Sequence, residues 1–303
     1  MDSPPSEPDS EALDALPPTA ALDLLLGRQQ AALAAVRGAL PALQDGAALM
    51  ARSLRSGGKV VYAGAGSSGL MAMADAMELP GTFGIQVAQI GICMAGGLPR
   101  DAHMPGGTED ETEDAAREAA LLGPHDTAIV VTASGSTPFA LAFARTARMH
   151  GATVIGLAGP PDAVLFAHAD VAVCLRTPPE PLAGSTRMGA GTAQKAALNM
   201  MSTLAGVALG HVHDGQMVNL RADNIKLRDR ARAMVARIGG VGEERAAALL
   251  DATGGEVKPA IALASGAPDP GTARRIIADA QGHLRAALAE LNRQPQRQTG
   301  RPT

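Results

Sequence analysis

The chain has 303 residues, 46% of them hydrophobic, which is enough apolar material for a sizeable core. Aromatic residues make up only 2%, so the stacking surfaces that bind single-stranded nucleic acid are nearly absent. A net charge of -4 leaves no broad basic surface for a nucleic-acid backbone, so we expect a small-molecule partner and no nucleic acid.

The chain begins and ends in segments that lack periodic apolar positions. Residues 1–19 are acidic and rich in Pro, and residues 294–303 are polar, so both segments are predicted to be disordered tails. The first segment is the reverse of a basic, apolar signal peptide, and no apolar run elsewhere is long enough to span a bilayer. We therefore predict a cytoplasmic protein that does not interact with a membrane.

The remaining residues divide into an α/β domain and a helical domain. Between residues 19 and 56, Leu and Ala recur at helical spacing and predict two helices. From Lys59, short β-branched runs alternate with helical segments, a pattern typical of a three-layer αβα sandwich with a mostly parallel sheet. Long helices are predicted over residues 187–209 and 216–238, and three short ones between residues 239 and 291. We assign residues 20–235 to the α/β domain and residues 236–293 to a small C-terminal helical domain.

Three segments place small hydroxyl residues where a strand should run into a helix: residues 63–69, 132–138 and 183–192. Backbone N–H groups at a helix start point outward and favour an anion, so Gly with Ser or Thr there forms a phosphate cradle. Helix capping explains any one of these segments equally well. Three of them at one sheet edge favour a sugar-phosphate site.

The first segment also has the glycine spacing of a dinucleotide-binding loop. Such a loop needs an acidic residue at the end of the second strand, and here that strand reads VAQIGICMAGG. A nicotinamide cofactor is therefore disfavoured. The cysteines Cys93 and Cys174 lie in apolar stretches without a Cys/His cluster, which predicts a reducing compartment and no metal site.

Longer matches point to one family. The segments VVYAGAGSSGLMAMADAMELPGTFG, ASGSTP, GSTRMGAGTAQKAALNMMST and NIKLRDRA, with ATGGEVKPAIAL and GHLRAAL near the end, follow in the family's order. The chain thus resembles the N-acetylmuramic acid 6-phosphate etherases, which have the sugar isomerase (SIS) fold. The resemblance implies a cofactor-free lyase and homodimer with its site at a subunit junction. It would remove the D-lactyl ether by elimination across C2 and C3 and then add water.

The resemblance also implies two catalytic carboxylates. Glu78 matches the acid that assists departure of lactate, and Glu109 matches the base that removes the C2 proton. Each assignment has an alternative. Glu78 also fits a solvated residue near a helix end, and Glu111 or Glu113 in the same acidic run could be the base instead of Glu109.

The residues implied to bind the sugar phosphate lie in the three hydroxyl-rich segments and in the later ADNIKL segment. They are Ser67, Ser68, Ser134, Ser136, Thr137, Ser185, Thr186, Asn224 and Lys226. Lys226 fits an exposed helix lysine equally well. The chain also departs from the family at Leu70, Ser136 and Gly189, where a basic residue is usual, and at Leu79, where Cys is usual.

Because three positions that are usually basic in the family are not basic here, the sequence does not determine which phosphosugar is the substrate. Two other functions are compatible with the same fold: a non-catalytic regulator that senses a sugar phosphate, and an aldose-ketose isomerase. A regulator needs the phosphate cradle but not the acid and base, so the presence of both Glu78 and Glu109 favours catalysis.

Overall fold

The computed structural model describes residues 12–102, 104, 107–220 and 225–293. Its centre is a parallel sheet of five strands in the order β2-β1-β3-β4-β5. The strands are β1 (Val60–Gly64), β2 (Ile90–Met94), β3 (Thr127–Val131), β4 (Thr153–Ala158) and β5 (Val171–Cys174). Both β1 and β3 are buried at every position, as expected for continuous apolar strands covered on both faces. The predicted mostly parallel sheet is confirmed.

Helices cover both faces of the sheet. They are α1 (Pro18–Ala35), α2 (Leu40–Arg55), α3 (Gly66–Phe83), α4 (Thr112–Ala119), α5 (Pro138–Met149) and α6 (Gly189–Ala208). On one face, Met50, Leu79 and Met201 of α2, α3 and α6 share a core with alternate residues of the strands. On the other, Phe139 and Phe143 of α5 pack with α4. The chain thus forms the expected three-layer αβα sandwich.

The topology brings the hydroxyl-rich loops to one edge of the sheet. In β1, Gly64 lies opposite Met94 at the end of β2 and Val131 at the end of β3. Because all three strands run in parallel, the loops that follow them leave the sheet side by side. This carboxyl edge is where open α/β sheets bind their ligands.

The helix predicted over residues 216–238 is wrong at its start. Gln216–Met217 forms strand β7, which pairs antiparallel with β6 (Val212–His213). The connecting residues Asp214 and Gly215 both have positive φ, 46° and 70°, the conformation of a type I′ hairpin turn. Helix α7 begins only at Ile225 and ends at Gly239.

The C-terminal region contains four further helices in its described part, where three were expected. They are α8 (Glu243–Ala252), α9 (Val257–Ala264), α10 (Pro270–Asp279) and α11 (Leu284–Arg293). Two glycines with positive φ, Gly254 and Gly255, separate α8 from α9. Helices α7 to α11 share a third core, so the predicted boundary at residues 235 and 236 falls inside α7. No helix in the described ranges is long and apolar enough to cross a bilayer.

One buried lysine joins the two regions. Lys258 of α9 is 8% exposed, and its Nζ donates hydrogen bonds to the carbonyl oxygens of Gly210 (3.3 Å) and Gly282 (3.2 Å). These carbonyls follow the ends of α6 and α10. Burial lowers the pKa of Lys258 to about 8.

Candidate functional site

The first hydroxyl-rich loop joins β1 to α3. Ser67, half-buried, and Ser68, buried, lie in the first turn of α3, where backbone N–H groups lack intrahelical partners. Gly66 precedes them with φ of 52°. A Cβ on Gly66 would lie 2.9 Å from Oε1 of Glu109, so the Glu109 carboxylate lies directly against this loop.

Glu109 lines a cavity of about 590 Å³ together with Gly66, Ser67, Arg100 and Thr186. It belongs to a short 3-10 turn, Thr108–Asp110, just before α4. Glu111 and Glu113 are the alternative candidates for the base. Both are exposed at the start of α4, and neither is among the described residues that line this cavity. The structure thus brings one of the three candidate carboxylates to the first and third loops.

The second loop, between β3 and α5, is held by its own hydroxyl groups. The Oγ1 atoms of Thr132 and Thr137 are 2.8 Å apart, and Oγ of Ser134 accepts hydrogen bonds from N and Oγ of Ser136, both at 3.2 Å. Gly135 has φ of 75°, and a Cβ there would lie 2.3 Å from that of Ala163. The loop is therefore fixed just ahead of the N-terminus of α5.

A second cavity, of about 460 Å³, is lined by Ser134, Thr186, Arg176 and Glu180, among others. Thr186 lines both cavities, so the three loops meet at the carboxyl edge of the sheet.

The other sequence-predicted binding residues that the structure describes do not line either cavity. Ser68 is buried, Ser136 and Thr137 bond within their loop, and Ser185 is half-buried. Lys226 is exposed on α7, whereas Asn224 lies outside the described residues. Their roles stay predictions.

The N-terminus of α6 is occupied by a carboxylate of the protein itself. Oε2 of Glu180 accepts from the N–H of Gly189 at 3.0 Å, and Oε1 accepts from that of Ala190 at 2.8 Å. These donors are two of the free N–H groups expected at a helix start. The third loop thus brings Thr186 to both cavities, while Glu180 accepts from the free N–H groups at the start of α6. No motif in the sequence indicates this pairing.

Glu78 lies well away from Glu109 within one chain. It follows Gly66 by twelve positions on α3, which corresponds to roughly 18 Å along the helix axis. Its side chain is 64% exposed, and Nζ of Lys195 on α6 lies 3.4 Å from its Oε2. Among the described residues, Glu78 does not line the cavity of Glu109. Its predicted role as the acid stays a prediction.

One turn before Glu78, α3 carries a buried carboxyl that sequence reasoning missed. Asp75 is 1% exposed and accepts hydrogen bonds from Tyr62 Oη (2.8 Å), Asn199 Nδ2 (2.6 Å) and Ser202 Oγ (3.0 Å). Burial raises the pKa of Asp75, and the three hydrogen bonds oppose that rise. Its only sequence signal is a lone Asp in an apolar helix.

The described residues contain no group of three or more His, Cys, Asp or Glu side chains suited to a metal ion. Cys93 and Cys174 are free thiols, and burial raises the pKa of Cys93 to about 12. Such a thiol is protonated at neutral pH and is a poor nucleophile.

A parallel αβα sandwich with hydroxyl-rich loops meeting at its carboxyl edge defines an SIS-domain protein. A family model described as SIS domain matches residues 29–159. The N-acetylmuramic acid 6-phosphate etherase of Streptomyces avermitilis is 40% identical over 288 residues, covering 94% of this chain and 93% of the relative. That of Deinococcus radiodurans is 40% identical over 285 residues, covering 93% of each. The chain belongs to the N-acetylmuramic acid 6-phosphate etherase family.

Solved structures similar to this chain include a putative sugar-phosphate isomerase from Listeria monocytogenes, 19% identical with a TM-score of 0.47, covering 64% of this chain and 93% of that one. A phosphoheptose isomerase from Francisella tularensis is also 19% identical, with a TM-score of 0.46, covering 63% of this chain and 97% of that one.

Proposed function

We propose that this chain is a carbon–oxygen lyase that cleaves the D-lactyl ether of N-acetylmuramic acid 6-phosphate and releases N-acetylglucosamine 6-phosphate and D-lactate. The observation that carries the proposal is the 40% identity to curated etherases over nearly the whole length of the chain. The site is compatible with this chemistry, since Glu109 lies beside Ser67 and Thr186 in a cavity of suitable size for a sugar.

The proposed reaction assigns one step to each group. The N-terminus of α5 and the Ser134 hydroxyl anchor the phosphate, because helix starts favour anions. Glu109 removes the proton from C2 while the bond between C3 and the ether oxygen breaks, leaving a double bond between C2 and C3. Glu78 gives its proton to the departing lactate oxygen. Water then returns a hydroxyl to C3 and a proton to C2.

We further propose that Glu78 acts from a second copy of the chain in a homodimer. Apolar side chains are exposed on both helices: Met77, next to Glu78 on α3, is 67% exposed, and Met200, Leu204 and Val207 of α6 are 44%, 41% and 43% exposed. The three α6 residues are spaced i, i+4 and i+7, so they share one side of the helix. A second copy that covers Met77 as well as this side of α6 would lie against Glu78, the residue after Met77 on α3.

The dimer is tested by light scattering at micromolar concentration. Leu204→Glu places a charge in the apolar face and is expected to give a monomer without lactate release. Leu121→Glu is the matched control, because Leu121 is 77% exposed after α4, on the other face of the sheet. A wild-type protein that is monomeric, or a Leu204→Glu variant that stays dimeric, would contradict this assembly.

A cytoplasmic location fits the site and the thiols. Both cysteines are free, as expected in a reducing compartment. The proposed substrate and products are small phosphorylated or acidic molecules, so the expected partner besides a second copy is a small sugar phosphate.

The activity itself is tested by incubating purified protein with N-acetylmuramic acid 6-phosphate and assaying D-lactate. Lactate release in proportion to enzyme concentration is expected. Release of no lactate from a folded protein that still binds hexose phosphates would contradict the lyase and favour a regulator.

A further inference from the structure

Arg176 is a cation at the site that the predicted binding residues do not include. It follows β5 directly after Leu175, at the same sheet edge as the hydroxyl-rich loops. Its side chain is exposed and lines the cavity of about 460 Å³ with Ser134 and Thr186. A guanidinium in this position can form two parallel hydrogen bonds with a phosphate.

Among the described residues, Arg176 has no salt-bridge partner. Glu180 lines the same cavity, and both of its carboxylate oxygens accept hydrogen bonds from the first residues of α6. Within the described ranges no carboxylate lies within 4.0 Å of the Arg176 guanidinium as a salt-bridge partner. The guanidinium is therefore available for a ligand.

A phosphate ester needs such a cation here. The phosphate carries a charge between about -1.5 and -2 at neutral pH, whereas Ser134 and Thr186 are uncharged. The start of α5 supplies about half a positive charge. Among the described residues that line this cavity, Arg176 is the cation that can balance the remaining charge.

We propose that Arg176 is a specificity-determining residue that binds the substrate phosphate beside Ser134. This role of Arg176 rests on the proposed function in one respect, namely that the ligand is a phosphorylated amino sugar. It makes this arginine the reason why the cavity distinguishes phosphorylated from unphosphorylated sugars.

The test is calorimetric binding of N-acetylglucosamine 6-phosphate and of N-acetylglucosamine to the full chain. Arg176→Ala is expected to raise the Kd of the phosphorylated sugar about ten- to a hundredfold, because a charge-assisted hydrogen bond is lost. The Kd of the unphosphorylated sugar is expected to stay within about threefold. Arg176→Lys keeps the positive charge but cannot form two parallel hydrogen bonds, so its Kd for the phosphorylated sugar should lie between those of the wild type and Arg176→Ala. Arg145→Ala, on the exposed surface of α5, is the matched control and should change neither Kd.

An unchanged preference for the phosphorylated sugar in Arg176→Ala would overturn the proposal. So would loss of that preference in Arg100→Ala but not in Arg176→Ala, because Arg100 lines the other cavity. D-lactate release separates this outcome from the proposed function. A wild-type chain without lactate release but with an Arg176-dependent preference would refute the lyase alone. An Arg176→Ala enzyme with unchanged KM would refute the role of Arg176 alone.

Discussion

The phenolic hydroxyl of Tyr62 donates a hydrogen bond to Oδ2 of Asp75 at 2.8 Å, with both side chains buried between β1 and α3. Tyr62→Phe removes this donor and leaves the buried carboxyl with its two bonds from α6. We expect a loss of about 1.5–3 kcal/mol in the free energy of unfolding, measured by urea denaturation.

The control for Tyr62→Phe is Ser53→Ala, which removes a buried hydrogen bond of 2.7 Å between two neutral hydroxyls, Ser53 and Thr127. Its expected cost is about 0.5–1.5 kcal/mol. A Tyr62→Phe variant no less stable than Ser53→Ala would show that the carboxyl does not depend on the tyrosine.

Replacing the two proposed catalytic carboxylates should affect different steps of the reaction. Glu109→Gln is expected to abolish exchange of the C2 proton with solvent deuterium and to lower kcat by about 10²- to 10⁴-fold. Glu78→Gln is expected to slow lactate release while some exchange persists. The measurements are deuterium incorporation by mass spectrometry and D-lactate formation. Equal loss of both signals in the two variants would contradict the division of roles.

Mixed dimers test whether the two carboxylates come from different subunits. When Glu78→Gln and Glu109→Gln chains are unfolded, mixed equally and refolded, half the dimers are hybrids, each with one intact shared site. We therefore expect about a quarter of wild-type activity from a symmetric dimer. Activity no higher than that of the separate variants would place both carboxylates within one subunit's site and contradict the shared arrangement.

Glu180 should contribute to stability through its two bonds at the start of α6. Glu180→Ala is expected to cost about 1–2 kcal/mol, because both capping bonds and a favourable charge are lost. Thermal unfolding measures the change. The control is Glu244→Ala in the first turn of α8, where the carboxylate forms no capping hydrogen bond and a smaller loss is expected. If both variants lost the same stability, the effect of Glu180 would come from its charge near the helix dipole and not from its two hydrogen bonds.

His211 should make stability depend on pH. Burial lowers its pKa to about 4, and the nearby Lys258 adds to this, while Nδ1 is buried without a hydrogen-bond partner among the described residues. Between pH 6.5 and 4 the unfolded chain therefore binds a proton that the folded chain does not. The free energy of unfolding is expected to fall as pH falls through this window, by at most about 1.4 kcal/mol per pH unit from this group.

The His211→Gln variant should show a shallower fall in stability over the same pH range, measured by denaturant midpoints. His125→Gln, at an exposed position, controls for the loss of a histidine elsewhere in the chain. A slope unchanged by His211→Gln would refute the assignment of this titration.

Local patterns were sufficient to predict the sheet and the three loops. Continuous β-branched runs ending in Gly, Ser and Thr predict buried parallel strands, whose carboxyl ends must share an edge. The turn at Asp214 and Gly215 was missed although its signal was present, since an Asp-Gly pair is typical of a two-residue hairpin.

The contacts that complete the site depend on distant parts of the chain. Arg100 and Arg176 follow β2 and β5, which lie at opposite edges of the sheet, so their nearness to Glu109 and Ser134 appears only in three dimensions. The bonds of Glu180 to α6 and of α6 to Asp75 are likewise tertiary. The sequence has no period or motif that encodes them.

Lys258 makes the end of α6 depend on a side chain 48 positions later. A chain truncated before α9 would lose the donor for the Gly210 carbonyl and the cation that helps to lower the pKa of the neighbouring His211. The sheet and the C-terminal helices are therefore not interchangeable modules. If these helices were grafted onto another SIS domain, that domain would need a backbone carbonyl at the position of Gly210 to accept the hydrogen bond from Lys258.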